Sequence, residues 1–201
     1  MQAQYAFGNQ PGAFNKGAPG EFGRSNGIML TYHSPLFDVR GIYDELRDNN
    51  GRFSNIFQAS REYFVGANVR FDALKIQGAY THYSAPDSPA GVADTADHYW
   101  LGATYSPQSR WAVTAGGYYI RVGAGEGDVA HDPSGHAMMY VLGTTYNLSK
   151  RTFLYGTMGY VRNSSNSNFS LEASPRDSSS NTSPLVGESQ TGAYVGMLHQ
   201  F

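Results

Sequence analysis

The sequence predicts an all-β protein, a transmembrane antiparallel β-barrel wall of about ten strands. Three observations predict it. Segments with strand periodicity recur along the whole chain, the connections between them alternate between long and short, and the chain closes on Phe201 at the tip of an amphipathic segment.

Composition bounds the alternatives. The 201 residues suit one sizeable domain, 1–201. Charged residues are 15% of the chain, well below the roughly 25% of an ordinary soluble domain. Glycine (24) and tyrosine (15) are heavily used. A net charge of −2 gives no field for nucleic acid, and none is expected as a partner. With no cysteine there is no disulfide scaffold and no thiolate site. No apolar run approaches the roughly 18 residues of a membrane helix. A mean hydropathy of −0.43 does not argue against a membrane, because a barrel strand hides its lipid face inside alternation. The opening MQAQYAFGNQPGAF has no basic stretch followed by an apolar core, so it is not read as a secretory signal.

Strands are expected near 1–8, 25–33, 37–46, 61–71, 75–84, 97–106, 110–122, 136–149, 152–162 and 190–201. Each is rich in β-branched and aromatic residues. Most approach the roughly 9–11 residues that a tilted strand needs to cross a bilayer. No stretch carries sustained helical periodicity, although 43–50 (YDELRDNN) could hold one helical turn. Long connections at 9–24, 47–60, 85–96, 123–135 and 163–189 alternate with tight links at 34–36, 72–74, 107–109 and 150–151. Outer-membrane barrels have this asymmetry, with long loops outside and short turns in the periplasm. The long connections should therefore lie at one end of the sheet and the short ones at the other.

Alternation assigns faces, because successive strand side chains point to opposite sides. Tyr63, Val65, Ala67, Val69 and Phe71 oppose Glu62, Asn68 and Arg70, and Tyr99, Leu101, Ala103 and Tyr105 oppose His98, Trp100 and Thr104. Tyr140, Leu142, Thr144, Tyr146 and Leu148 oppose Met139, Val141, Thr145 and Asn147. Phe153, Tyr155 and Val161 are placed on the apolar side, against Leu154, Met158 and Arg162. An Arg or Lys on the lipid face would cost roughly 2–4 kcal/mol at mid-bilayer and almost nothing in a wet lumen. Asp38, Arg40, Glu62, Arg70, Lys75 and Arg162 are accordingly expected to line the pore. Four positive against two negative would favour anions. Arg121 is left out, being in phase with Trp111, Val113 and Tyr119 and beyond the bilayer edge.

In TGAYVGMLHQF, Val195, Met197, His199 and Phe201 share one face. This ending resembles the terminal signature of outer-membrane barrels, whose last strand ends in Phe. YNLSKRTFLYGTMGY (146–160) looks like the strand–turn–strand near the end of general porins of the Neisserial and beta-proteobacterial branch. QAQYAFGNQPG (2–12), HYWLGATYSPQSRW (98–111) and GAYVGMLHQF (192–201) are similar to further segments of that family, in the same order. The resemblance implies a homotrimeric, sixteen-stranded, water-filled channel in the outer membrane of a Gram-negative bacterium. It implies passive diffusion of ions and small hydrophilic solutes and contact with outer-membrane lipid; no cofactor and no metal are expected. It also implies that the barrel assembly machinery reads Val195, Met197, His199 and Phe201. About ten strands are present here, so the chain is expected to be the C-terminal part of such a porin, its domain N-terminally incomplete. Met1 then begins a fragment or a truncated reading frame, and the family's inward-folded constriction loop lies outside this sequence. Ten strands cut from a wider barrel should form an open sheet, with edges at 1–8 and 190–201.

Other motifs have plain explanations. GAGEG (123–127) lacks the strand-to-helix context of a phosphate loop. His131 and His136 lack a third ligand at recognisable spacing. The alternative function is a self-contained ten-stranded barrel with a surface activity such as proteolysis. For it only Asp94, Asp97 and His98 lie near one another in sequence, with no opposed carboxylate pair to activate a water. A soluble ligand-binding β protein is the third reading.

Overall fold

The computed structural model describes residues 2–6, 25–48, 50–108, 110–123, 135–171 and 184–201. Ten strands form one sheet: β1 (Gln2–Ala6), β2 (Ser25–His33), β3 (Phe37–Leu46), β4 (Arg61–Phe71), β5 (Leu74–Ser84), β6 (Thr95–Gln108), β7 (Trp111–Val122), β8 (Gly135–Asn147), β9 (Thr152–Asn163) and β10 (Gln190–His199). Their order in the sheet is their order in the chain, β1 through β10, and every ladder is antiparallel.

Most ends fall where the alternation places them, and the exceptions have local causes. Strand β6 runs longer than expected because its ladder to β7 slips between Tyr105 and Gln108 and then resumes at Trp111, a bulge that bends one strand against its neighbour. Strand β8 stops at Asn147, since the Leu148 and Ser149 amides both turn onto the Thr152 carbonyl at 2.9 and 3.1 Å. The helical turn expected at 43–50 does not form. Tyr43, Asp44 and Glu45 instead pair with Tyr63, Glu62 and Arg61, and the ladder outweighs the weak local helical tendency of that stretch. The link Asp72-Ala73 is a two-residue hairpin with Asp72 at φ 49, a left-handed conformation that Asp tolerates.

In an antiparallel meander, alternate connections must lie at opposite ends. The connections after β1, β3, β5, β7 and β9 therefore share one end, and the short links after β2, β4, β6 and β8 share the other. The predicted asymmetry is met.

The ladders also fix the faces across the whole sheet. One face carries large apolar side chains left open to the surroundings: Leu30, Val39, Val65, Leu101, Leu142, Met158, Val195 and Met197. Tyrosines bracket them. Towards the long connections, Tyr43 meets Tyr63 with ring centroids 5.1 Å apart, Tyr80 meets Tyr99 at 4.8 Å and Tyr99 meets Tyr119 at 6.2 Å. Towards the short links, Tyr32 meets Phe37 at 5.7 Å and Tyr105 meets Trp111 at 5.9 Å. Tyr99 and Tyr105 lie six residues apart on β6, about 20 Å along the strand. An apolar band of this height between two aromatic rows suits a bilayer and its interfaces. Water would leave those side chains unburied. Leu101→Arg, inside the band, should therefore cost roughly 2–4 kcal/mol of membrane stability. Refolding yield into lipid vesicles, read as heat-resistant mobility in gels, would show the loss.

Among the described residues, β1 pairs only with β2 and β10 only with β9. The sheet is open, as expected of a wall rather than a closed ten-stranded barrel.

Candidate functional site: the polar wall and its mouth

The other face gathers the charges. Five of the six predicted pore residues stand on it: Asp38, Arg40, Glu62, Arg70 and Lys75. Arg70 Nη2 donates to Asp38 Oδ2 at 2.9 Å, and His33 Nδ1 lies 2.9 Å from Asp38 Oδ1. Arg40 Nε donates to Thr31 Oγ1 at 3.3 Å. Lys75 is the cross-strand partner of Arg70. Around this cluster lies a shallow depression of about 190 Å³ that includes His33, Arg40, Asn68, Gln77 and Trp100.

Arg162 is the correction. It pairs across strands with Met138, which pairs with Tyr119, so it stands on the apolar face beside Tyr160. Both faces of β9 carry large apolar side chains, Phe153, Tyr155 and Val161 on one and Leu154, Met158 and Tyr160 on the other. Alternation alone cannot choose between them; the ladder to β8 does. Asp44 is the residue that sequence reasoning missed. It faces Glu62 directly across β3 and β4. Extending the alternation of 37–46 from Asp38 and Arg40 would have found it. Among the described strands, the polar face thus carries Arg40, Arg70 and Lys75 against Asp38, Asp44 and Glu62, and the expected surplus of positive charge disappears. The charges are separated lengthwise instead. Arg70 and Glu62 lie eight residues apart on β4, about 27 Å, with the basic group near the short links and the acidic pair near the long connections.

Aromatic rings on this face lie along the wall. A Cβ at Gly66 would come within 2.7 Å of the Phe64 ring, and one at Gly196 within 2.5 Å of the Tyr155 ring. Glycine under each ring lets it lie flat, as aromatic side chains do when they cover a strand glycine. Gly196→Val should force Tyr155 away from the wall and loosen the β9–β10 pairing, lowering the unfolding temperature; an unchanged temperature would refute the close approach.

At the long-connection end, residues 50–60 fold back over the polar face. Ile56 is fully buried against Ala85, Ala93, Ala96 and Val122, with Tyr83, Ile120 and Phe169 packed alongside. The Phe57 ring meets Tyr83 at 6.1 Å and Phe169 at 6.4 Å, so two connections from opposite halves of the sheet touch over the wall. Two guanidinium groups lie over the Phe53 ring, Arg47 at 4.2 Å and Arg61 at 4.4 Å from its centre. Its amide donates to Asp87 Oδ2 at 3.0 Å, and the Asp87 amide returns a bond to the Phe53 carbonyl at 2.9 Å.

Asp48 opens this connection. Its Oδ1 accepts from the Asn50 and Arg52 amides at 2.8 and 2.9 Å, and its Oδ2 accepts from Ser54 Oγ at 2.6 Å. Desolvation pushes its carboxyl up, but the bonds from Ser54, Arg52 and Asn50 outweigh it and hold the pKa below the ordinary carboxylate value. A depressed folded pKa means the turn is supported above the unfolded value of about 3.9 and loses that support as pH falls through the folded value. Acidification should therefore lower the protection of the Asn50 and Arg52 amides, measured against intrinsic exchange at each pH, and Asp48→Asn should remove that pH dependence.

The residues considered for proteolysis do not converge. Asp97 faces the apolar side, where Tyr80 OH donates to its Oδ1 at 2.6 Å and His82 Nδ1 lies 2.9 Å away. His98 faces the polar side, stacked 6.2 Å from Tyr118. Asp94 engages the Ala85 amide through its backbone carbonyl. Among the described residues no three or more His, Asp or Glu side chains are placed to hold a metal.

A family model described as Gram-negative porin matches residues 1–166, which contain β1 through β9. The chain belongs to the Gram-negative porin family. Its apolar band and tyrosine rows are those of a wall in the outer membrane. Outer membrane porin protein 32 of Delftia acidovorans is 26% identical over 222 residues, covering 94% of this chain and 61% of that protein. This chain therefore spans less than two thirds of the length of that relative. Two solved structures share the fold. A porin refined at 1.8 Å has a TM-score of 0.57 at 14% identity, over 92% of this chain and 54% of the other. OmpT of Vibrio cholerae, expressed in the outer membrane, has a TM-score of 0.51 at 15% identity, over 69% and 45%.

Proposed function

We propose that this porin chain forms part of the wall of a water-filled outer-membrane channel through which ions and small hydrophilic solutes pass by diffusion, without catalysis or energy coupling. The two unlike faces of one sheet support this reading most. A face of open apolar side chains bracketed by tyrosines is backed by a face carrying six charged side chains. In a bilayer, the first requires lipid and the second requires water. The long connections face outwards and the short links the periplasm. Unpaired strand edges are untenable in hydrocarbon, where each unsatisfied backbone group costs several kcal/mol. The edges of β1 and β10 accordingly meet strands beyond the ten described, and the working form is a closed trimeric barrel like those its family resemblance implies. The exposed Val195, Met197 and Phe201 are read with His199 by the assembly machinery.

Protein purified from outer membranes and added to a planar bilayer should give stepwise, ohmic conductance. Barrels that insert without conducting would sink the channel reading. The self-contained barrel with a surface activity finds little support: among the described residues its ten strands do not close on themselves, and its candidate residues stand on different faces.

A further inference from the structure

Across β4 to β7 the polar face carries rings rather than charges at mid-height. The ladders put Phe64 and His98 in one row, and Trp100 and Tyr118 in the next row towards the short links. Gly66 and Ala79 complete the row of Trp100, so little side chain stands between the rings. Phe64, Gly66 and Trp100 line the depression of about 190 Å³ described above. Tyr118 continues the surface. Its ring lies 23° from the plane of Trp100 and 27° from that of His98, with centroids 6.2 Å apart in both pairs. A Cβ at Gly116 would come within 3.3 Å of the Tyr118 ring, so this ring also lies along the wall. From β4 to β7 the strip spans three strand spacings, about 14 Å.

Hydrogen-bonding groups edge the strip. Arg40 is the cross-strand partner of Gly66, and Asp38, Asn68 and Gln77 form the row below. Arg40 uses its Nε on Thr31. Among the described residues, its terminal nitrogens and the Gln77 amide make no other bond. Of the Asp, Glu, Lys and Arg side chains described, only Arg40 and Asp38 line the depression, one of each sign. A solute matched to this place has an apolar face for the rings, donors and acceptors along its edge, and no net charge. A pyranose has that form. Its C–H groups suit the negative face of an aromatic ring, and its hydroxyls accept from guanidinium and amide donors. The depression is smaller than the roughly 300–1,000 Å³ of a site that encloses its ligand. Weak binding at successive places suits passage, because a permeating solute has to leave as readily as it enters.

We propose that this strip is a binding track for neutral saccharides, in which a pyranose ring stacks on Trp100 in the depression, bonds to Arg40 and Gln77 at its edge, and moves on to Tyr118. The track rests on the channel reading above and names a solute class for it.

The test uses protein purified from outer membranes and a linear glucose oligomer, with two readouts. One is block of ion current in a planar bilayer. The other is magnetisation transfer from the protein, in detergent micelles, to the protons of the sugar, which reports binding without conduction. Current should fall as sugar is added, and transfer should be strongest at the ring C–H protons. Trp100→Ala should raise the half-blocking concentration about tenfold, through loss of the stacking surface. Gln77→Leu keeps the bulk, removes the amide and should raise it about threefold. Arg162→Gln, on the opposite face, should leave it unchanged. The block should keep its strength as salt rises from about 0.1 M to about 1 M, whereas a site for anions would weaken. Absence of both block and transfer would overturn the track. So would a block that Trp100→Ala leaves unchanged, or tighter binding of benzoate than of the oligomer, which would make this a site for aromatic acids. Transfer that Trp100→Ala abolishes, in protein that does not conduct, would keep the binding site and sink the channel reading; conductance without transfer or block would do the reverse.

Discussion

Ile56→Ala should unseat the 47–60 connection and enlarge the mouth of the channel. Ile56 is fully buried where this connection crosses the polar face. Truncating a buried isoleucine to alanine costs roughly 2–5 kcal/mol, and about 3 kcal/mol corresponds to roughly a hundredfold change in the docked-to-undocked ratio. The remaining ties are polar or edge-on, among them the two bonds between Phe53 and Asp87, the Ser88 hydroxyl on the Ser54 carbonyl, Arg61 over the Phe53 ring and the Phe57 contacts with Tyr83 and Phe169, and they do not replace the lost burial. Single-channel records should show higher open conductance with frequent transitions as the connection leaves and returns. Replacing 50–58 by two glycines should give the higher conductance without the transitions, and should admit larger uncharged polymers. Unchanged conductance and exclusion in both variants would mean that the connection packs on the rim without obstructing the path. The contrast separates a docked collar from a loop that merely covers the barrel end.

The strands were legible in the sequence because each is a run of β-branched and aromatic residues, most with a period of two, and the alternation of connection lengths set the ends of the sheet before any pairing was known. The faces were legible wherever one side of a strand is clearly polar. On β4, Glu62, Asn68 and Arg70 leave no doubt, and the ladder agrees. On β9 the two sides are equally apolar, so Arg162 was assigned by its charge and the assignment failed. The inward fold of 50–60 left no periodic signal. Ile56 stands with Phe53, Phe57 and Ala59 at no regular spacing in an otherwise polar stretch, and its burial depends on Ala85, Ala93, Ala96 and Val122, all at least 29 positions away in the chain. Contacts of that kind arise from the meander that brings β3, β5, β6 and β7 to one end, which local pattern does not encode. The separation of acidic from basic groups along the wall was hidden for a related reason: it needs strand direction as well as face.

Arg70→Glu should turn the channel towards cations. In the native wall, Arg70 holds Asp38 in a 2.9 Å ion pair, and Lys75 sits opposite Arg70. The substitution changes the polar face from three positive and three negative groups to two and four. It also places two carboxylates where an ion pair stood. Charges about 4 Å apart interact by roughly 4 kcal/mol at the effective dielectric of a protein surface, so the new pair should recruit a cation and repel permeant anions at this level of the pore. Screening reaches about 10 Å at 0.1 M salt, and the change should therefore be largest in dilute solution and fade as salt is raised. Reversal potential across a salt gradient is the measurement. Arg162→Glu is the matched control, since it makes the same charge change on the opposite face, and it should leave the potential where it was. A shift with Arg162→Glu and none with Arg70→Glu would reverse the faces assigned from the β8–β9 ladder and, with them, the side of the sheet that faces water.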